Sequence, residues 1–137
     1  GFTAPDAPVE PWISVNPNHV EINAAEEFDD PDSVYTFYKK LIAMRHNNAT
    51  VAVGEWNLVA ADSEQVYSFT RTSGDDTILV IVNLTGRTAR VPAEVARLLG
   101  NGVGESQVLL STYDAMHSVK SIARGELARW EGVVIQL

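Results

Sequence analysis

The strongest periodicity in the chain is helical and falls between residues 31 and 47. Apolar side chains recur there at intervals of three and four residues, which places them on one stripe of an α-helix: Val34, Phe37, Tyr38, Leu41 and Ile42. Asp30 and Pro31 stand just before the stripe, where an acceptor side chain can cap free amides and proline fits the first helical position. The pattern predicts one long α-helix over about residues 31–47 with a single apolar face.

Beyond residue 48 the period changes to the alternation that is typical of β-strands. Residues 66–72 alternate clearly, and residues 77–84 are apolar on both faces, as in a central strand. Trp56, beside Leu58, is predicted to lie in the core. Further strands are predicted at 51–53, 55–59, 88–91, 107–111, 119–122 and 133–137, with a short helical turn within 92–99. Short strands separated by turns predict a mainly β fold, an antiparallel Greek-key β-sandwich.

The segment before the helix carries no sustained period and is rich in proline, so it is predicted to be a long irregular loop. The chain therefore divides into two parts. Residues 1–48 hold the irregular loop and the helix, and residues 49–137 form the β-domain.

The amino-acid composition argues against several classes of function. Ten basic residues against eighteen acidic ones give a formal charge of −8, which argues against nucleic acid as a partner because its binding needs Lys/Arg patches. The longest aliphatic run, residues 78–82, is far shorter than the roughly 20 residues of a membrane helix, so no membrane partner is expected. No cysteine is present, which removes disulfides, thiolate nucleophiles and cysteine metal ligands.

Side chains that could support chemistry are scattered along the chain. The three histidines show no metal-binding spacing, and neither a metal nor a cofactor is expected. The acidic residues between 26 and 32 are interpreted as partners of the positive end of the helix dipole. Trp12, Trp56 and Trp130 raise the alternative of a carbohydrate-binding module, because sugar rings stack on exposed aromatic faces. Two exposed, coplanar tryptophans on one sheet face would favour that alternative.

One combination of residues is far more specific than these patterns. It consists of the run PWISVNPN from Pro11 to Asn18, followed by further matching groups: Gly1 to Thr3, Glu21 to Asn23, Asp30 to Val34 and Phe37 to Arg45. In these residues the chain resembles the α-glucosidases of the α-amylase superfamily of glycoside hydrolases, in particular their oligo-1,6-glucosidase branch. The resemblance implies that residues 1–48 are the last loop and final helix of a catalytic TIM barrel. Residues 49–137 would be the β-sandwich domain that follows the barrel.

The resemblance also implies what the chain contributes to such an enzyme. A retaining glycosidase needs two carboxyl groups about 5–5.5 Å apart, and in this family they lie on earlier barrel strands. None of those motifs occurs here, so no catalytic residue is assigned. The chain is expected to be an excised or proteolysed C-terminal piece of a bacterial, cytoplasmic enzyme that hydrolyses α-1,4 or α-1,6 glucosidic bonds of oligosaccharides. The sequence is compatible with either linkage. It is also compatible with relatives that act on sucrose or trehalose, although they resemble this C-terminal segment less closely.

The expected role of the chain itself is structural support for the barrel, and its expected partner is the rest of the enzyme. The apolar stripe of the helix would pack on the barrel; without the barrel it would fold against the β-domain or join a second copy of the chain. Phe2 and Trp12 would border the substrate mouth, because loops at the C-terminal face of a barrel build its active site.

Overall fold

The computed structural model describes residues 6, 8, 9 and 11–137 and divides the chain into two units, Gly1–Ala43 and Met44–Leu137. In the first unit a 3-10 helix, Pro17–Val20, is followed by α1, Ala24–Asp29, and by α2, Val34–Asn47, which crosses the division. Asn23 joins the first two elements. Its Oδ1 accepts the amide hydrogens of Ala25 and Glu26 at 3.1 Å, and its Nδ2 donates to the carbonyl of His19 at 2.9 Å.

The long helix α2 is present, but it begins at Val34 instead of residue 31. Ser33, which is buried, performs the capping that was predicted for Asp30: its Oγ accepts the amide hydrogen of Thr36 at 3.1 Å. Asp30 instead accepts the amide hydrogen of Asp32 at 2.9 Å, within the turn before the helix. The short Asp30 turn therefore replaces the first helical turn of the prediction.

The second unit contains seven strands. They are β1 Glu55–Val59, β2 Val66–Ser73, β3 Asp76–Asn83, β4 Ala89–Arg90, β5 Val108–Ser111, β6 Glu126–Leu127 and β7 Gly132–Gln136. Five of them form an antiparallel sheet in the order β1-β2-β3-β7-β5, and β4 pairs with β6 in a separate sheet. Three α-helices, α3 Ala49–Val53, α4 Ala93–Leu99 and α5 Ala115–Ala123, and a 3-10 helix, Glu105–Gln107, complete the unit.

The core lies on one face of the five-stranded sheet, called here the inner face. Leu79 and Ile81 of β3 pack there with Val133 and Ile135 of β7. The remaining buried members come from β2, the small sheet and two helices: Val66, Ala89, Leu127, Val95, Leu99 and Ile122. The mainly β class is confirmed, and helices α4 and α5 supply much of the layer that faces the large sheet.

Two predicted strands are helices. Residues 51–53 belong to α3, where the Asn48 side chain accepts the amide hydrogen of Val51 at 3.0 Å and so caps the helix. Residues 119–122 belong to α5, which Asp114 caps in the same way through the amide of His117 at 2.7 Å. In both cases an Asx cap starts a helix that short-range alternation does not reveal. The helical turn predicted within 92–99 is confirmed as α4.

The helices of the described residues are all too short or too polar to cross a lipid bilayer.

The connection between α3 and β1 depends on Gly54. A Cβ atom at this position would lie 2.5 Å from the carbonyl oxygen of Thr50 and 3.1 Å from the backbone N and O of Thr72. Because these are backbone atoms, they cannot rotate away as a side chain could. We expect Gly54→Ala to lower the free energy of unfolding by about 3 kcal/mol, the cost of an overpacked site that must shift its backbone.

Urea denaturation of the chain measures this change, and Gly104→Ala is the matched control. A Cβ at Gly104 would meet only side-chain atoms, at 3.5 and 3.8 Å, so that variant should stay within about 0.5 kcal/mol of wild type apart from the propensity change. Equal stability of the two variants would contradict the role given to Gly54.

Candidate functional site

The motif that carries the resemblance forms a hydrogen-bonded turn. Asn16 Oδ1 accepts the amide hydrogen of Asn18 at 3.2 Å, and the Asn16 carbonyl accepts the amide hydrogen of His19 at 3.0 Å. His19 Nδ1 also lies 3.0 Å from that carbonyl. Pro17 occupies the first position of the 3-10 helix that follows. The asparagines of the motif therefore shape the backbone of this loop.

Trp12 lies in the same loop and is exposed to solvent. Its side chain is 95% exposed, and the neighbouring Ile13 is exposed as well. Trp12 therefore contributes almost no burial to the first unit, and its large apolar surface is free for another group. Phe2, the other residue predicted for the substrate mouth, lies outside the described residues.

The stripe on α2 is apolar and largely uncovered. Val34, Tyr38 and Ile42 are exposed, while Phe37 and Leu41 are half-buried. At the start of the helix the ring of Tyr35 lies 5.5 Å from that of Phe28, so α1 covers a neighbouring face of the helix and not the stripe. The five predicted interface residues share one helix face, and what that face contacts in a longer protein stays a prediction.

A second apolar surface, which the sequence reading missed, is the outer face of the five-stranded sheet. The pairing of Leu58 with Phe69 and of Phe69 with Val80 places these side chains on the face opposite the core. The outer face is formed by Trp56, Leu58, Tyr67, Phe69, Arg71, Ile78, Val80, Val82, Val134 and Gln136, and Ile78 among them is fully buried. The ring centroid of Phe69 lies 6.3 Å from that of Trp56 and 5.6 Å from that of Tyr67.

The prediction that Trp56 lies in the core is wrong, since 47% of its side chain is exposed. The reason is an inverted alternation in β2. Ser68 and Thr70 point inward and are buried, whereas the aromatic Tyr67 and Phe69 point outward. Ser68 is tolerated inside because its hydroxyl donates to the carbonyl of Val59 at 2.7 Å, and a buried polar group costs little when it is hydrogen-bonded. The usual rule that apolar residues face the core therefore placed Trp56 on the wrong face of the sheet.

The three tryptophans do not share a sheet face. Trp56 lies on the outer face of β1, Trp130 precedes β7 in a turn, and Trp12 belongs to the first unit. The rings around Trp56 are also tilted, by 36° between Trp56 and Phe69 and by 50° between Tyr67 and Phe69. The arrangement that would favour a flat sugar-binding sheet face is therefore not present on these strands.

Trp130 occupies an unusual backbone conformation in the turn Ala128–Glu131, called here the Trp130 turn. The amide of Glu131 donates to the carbonyl of Ala128 at 3.2 Å, and φ of Trp130 is 55°. This left-handed region favours glycine or asparagine, and a bulky side chain there costs about 1–3 kcal/mol. The indole is nevertheless 60% exposed, so burial recovers only part of the strain.

The Trp130 turn is held in place by Glu131, whose side chain is fully buried. Its Oε1 accepts the hydroxyl hydrogen of Ser118 at 2.6 Å, and its Oε2 accepts the amide hydrogen of Ala128 at 2.6 Å. Ser118 is also 2.7 Å from the hydroxyl of Ser111. His117 Nε2 lies 4.0 Å from Oε2, beyond hydrogen-bond distance. The carboxylate thus joins helix α5 to the start of β7.

Asn83, at the end of β3, is also hydrogen-bonded to the Trp130 turn. Its buried Nδ2 donates to the carbonyls of Arg87 at 2.7 Å and Ala128 at 2.8 Å, and its Oδ1 accepts from the amide of Thr85 at 2.9 Å. The Asn-Leu-Thr sequence that begins here resembles a glycosylation site, but its acceptor nitrogen is buried and bonded. Asn83 is therefore a structural residue.

Other features of the described chain offer little to a ligand. Two clefts of about 330 and 280 Å³ flank the loop between β1 and β2, and no tryptophan lines either of them. Among the described residues no group of three or more His, Cys, Asp or Glu side chains is placed to hold a metal ion.

Comparison with known proteins gives consistent matches. The family model described as "Alpha amylase, catalytic domain" matches residues 1–54. The chain is 33% identical, over its whole length, to an oligo-1,6-glucosidase of Parageobacillus thermoglucosidasius, of which it spans 23%. It is 35% identical over 71% of its length to an α-glucosidase of Pediococcus pentosaceus, of which it spans 18%. The chain thus spans less than a quarter of these curated relatives.

Solved structures agree with these matches. The isomaltulose synthase of Klebsiella sp. LX3 superimposes with a TM-score of 0.75 at 29% identity, covering 95% of this chain and 22% of that one. The trehalulose synthase MutB gives a TM-score of 0.73 at 28% identity, covering 96% of this chain and 23% of that one.

The Glu131 network generates a stability prediction. Glu131→Ala would leave the Ser118 hydroxyl and the Ala128 amide without their acceptor, at about 1–3 kcal/mol for each buried donor. We expect the free energy of unfolding to fall by roughly 2–5 kcal/mol, measured by urea denaturation. Glu131→Gln keeps one acceptor oxygen and should lose about half as much.

The matched control is Glu94→Ala. The Glu94 side chain is exposed and lies 3.8 Å from Arg97 in a surface ion pair, which is worth only about 0–1 kcal/mol. If Glu131→Ala cost no more than this control, the buried network would not hold the turn.

Proposed function

We propose that the chain is the C-terminal, non-catalytic portion of a retaining α-glucosidase of the α-amylase superfamily of glycoside hydrolases. The proposed parent enzyme hydrolyses α-1,4 or α-1,6 glucosidic bonds of oligosaccharides in the bacterial cytoplasm. The observation that carries the proposal is the similarity to an oligo-1,6-glucosidase along the whole chain. Its catalytic carboxylates would lie in the part of the parent that precedes these residues.

The match of residues 1–54 to a catalytic-domain model supports the proposed division of the chain. Residues 1–48 would complete the catalytic barrel, and residues 49–137 would form the domain that packs beside it. The strands begin at Glu55, shortly after the proposed boundary, which supports this division.

Two apolar surfaces support a scaffolding role. The α2 stripe and the outer face both carry exposed apolar side chains, among them Tyr38, Ile42, Trp56 and Leu58. Exposed apolar area costs roughly 25 cal/mol per Å² relative to burial. In the oligo-1,6-glucosidase relative, the chain accounts for 23% of the length, so most of such an enzyme is available to cover these faces. We assign both surfaces to contacts with that missing catalytic part. The tilted rings on the outer face suit packing better than they suit sugar stacking.

A second candidate for the parent is a trehalulose or isomaltulose synthase, since solved structures of both match the chain. The identities are 28% and 29% to these proteins against 33% to the oligo-1,6-glucosidase. The glucosidase therefore remains the function that the residues support best. A free-standing carbohydrate-binding module is less well supported, because its two coplanar tryptophans are missing from the described sheet faces.

A chimera tests the proposed function directly. The chain would replace the matching stretch of the Parageobacillus thermoglucosidasius oligo-1,6-glucosidase, and steady-state hydrolysis of isomaltose would be measured. We expect turnover by the chimera, because the chain would supply the surfaces that complete the barrel. The chain alone should give no turnover of isomaltose or p-nitrophenyl α-glucoside. A chimera that is folded by circular dichroism but inactive would refute the assignment, as would activity that copurifies with the isolated chain.

Within that chimera, the proposed position of Trp12 beside the substrate mouth makes a separate prediction. Trp12→Ala should change the ratio of kcat/KM for isomaltose to that for maltose, because a lost apolar contact of about 1–3 kcal/mol acts differently on the two linkages. The largest effect expected is roughly ten- to hundredfold. Ile13→Ala, at the adjacent exposed position, should leave the ratio unchanged. Equal losses for both substrates together with a lower melting temperature would show that Trp12 is only structural.

A further inference from the structure

The Trp130 turn combines three features that fold stability alone does not explain. The residue has a left-handed backbone, its side chain is tryptophan, and most of that side chain is in solvent. A glycine would adopt the same backbone without strain. Retention of strain at an exposed residue is typical of sites that hold a side chain ready for a ligand.

The turn is also rigid, because the backbone on either side of the indole is bonded to other elements. The amide of Trp130 donates to the carbonyl of Thr85 at 3.0 Å, and its carbonyl accepts from the hydroxyl of Thr112 at 3.3 Å. The hydroxyl of Tyr113 donates to the carbonyl of Arg129 at 3.0 Å. Together with the buried Glu131 carboxylate, these bonds fix the backbone from which the indole projects.

The indole lies beside Gly86, in the loop that joins β3 to β4. A Cβ at Gly86 would be 3.4 Å from Cζ2 and 3.6 Å from Nε1 of Trp130. The missing side chain lets the ring approach the backbone, so part of the ring is supported while the rest stays open. The same loop and turn carry the exposed Arg87 and Arg129, neither of which forms an ion pair with another described residue. A supported aromatic ring with free hydrogen-bond donors on neighbouring residues suits a ligand that is both flat and polar.

We propose that Trp130 is a stacking platform for a glucosyl residue of an oligosaccharide in the second unit. One apolar face of a pyranose would lie on the exposed indole, and its hydroxyl groups would face Arg87 and Arg129. The choice of a glucosyl ligand rests on the proposed function. The site would hold a substrate chain on the enzyme without taking part in bond cleavage.

Titration of the 15N-labelled chain with maltotriose and with isomaltotriose tests the proposal. The indole N–H signals are assigned with Trp12→Phe, Trp56→Phe and Trp130→Phe variants. The Trp130 signal is expected to shift saturably, with a dissociation constant in the millimolar range, while the signals of Trp12 and Trp56 stay in place. Trp130→Ala should weaken binding by at least about tenfold, and Trp56→Phe should leave it unchanged. An unmoved Trp130 signal, or a larger shift at Trp56, would overturn the proposal.

Trp130→Gly separates binding from folding. Glycine relieves the left-handed strain, so this variant is expected to keep the melting temperature of wild type or exceed it while losing the sugar-dependent shift. A marked fall in its melting temperature, with no sugar response in wild type, would assign Trp130 to packing. The isomaltose chimera distinguishes this result from failure of the proposed function: an active chimera whose Trp130 ignores both sugars removes only the platform.

Discussion

The second unit is organised by the central strand β3, which pairs with β2 on one edge and β7 on the other and is apolar on both faces. Leu79 and Ile81 build the core on the inner face, while Val80 and Val82 lie on the outer face. Since a strand alternates with a period of two, one register fixes both faces together. The small sheet and the helices α4 and α5 cover the inner face. The described residues leave aromatic side chains of the outer face exposed.

At the end of β3, hydrogen bonds between buried polar groups, and not apolar packing, hold the structure together. Asn83 and Glu131 bind the two turns that follow β3 and precede β7, with a bond from the Asn83 amide to the Glu131 carbonyl at 2.8 Å between them. Burying an amide and a carboxylate is costly unless their hydrogen bonds are made. Because most of these atoms are paired, the cost is offset and the turns gain a single conformation. The strained Trp130 can persist only because this network determines the backbone around it.

The parts of this fold that the sequence predicted are those whose signal is a long, regular period. Helix α2 and the strands β2 and β3 were found from periodicity, within a few residues. Helix α3 was mistaken for a strand because it is started by a single side chain, Asn48, and is too short to show a period. Helix α5 was mistaken for a strand because the helical spacing of Ala115, Val119 and Ile122 was overlooked. Trp56 was misplaced because serine and threonine occupy the inner face of β2. Nothing in the sequence indicated that Glu131 is buried. A single glutamate before a strand looks like an exposed residue until its partners in α5 are known.

The residues that carry the resemblance to the glycoside hydrolases are assigned a structural role in this chain. The PWISVNPN run is highly specific, and Asn16 and Asn18 use polar groups of this run to close a turn. On the proposed function, the turn holds one backbone path for a loop that presents Trp12 to the missing part of the enzyme. The stripe of α2 and the outer face would likewise be completed by another surface of that enzyme. The proposed chain is then a set of interfaces around a catalytic centre that other residues of the enzyme supply.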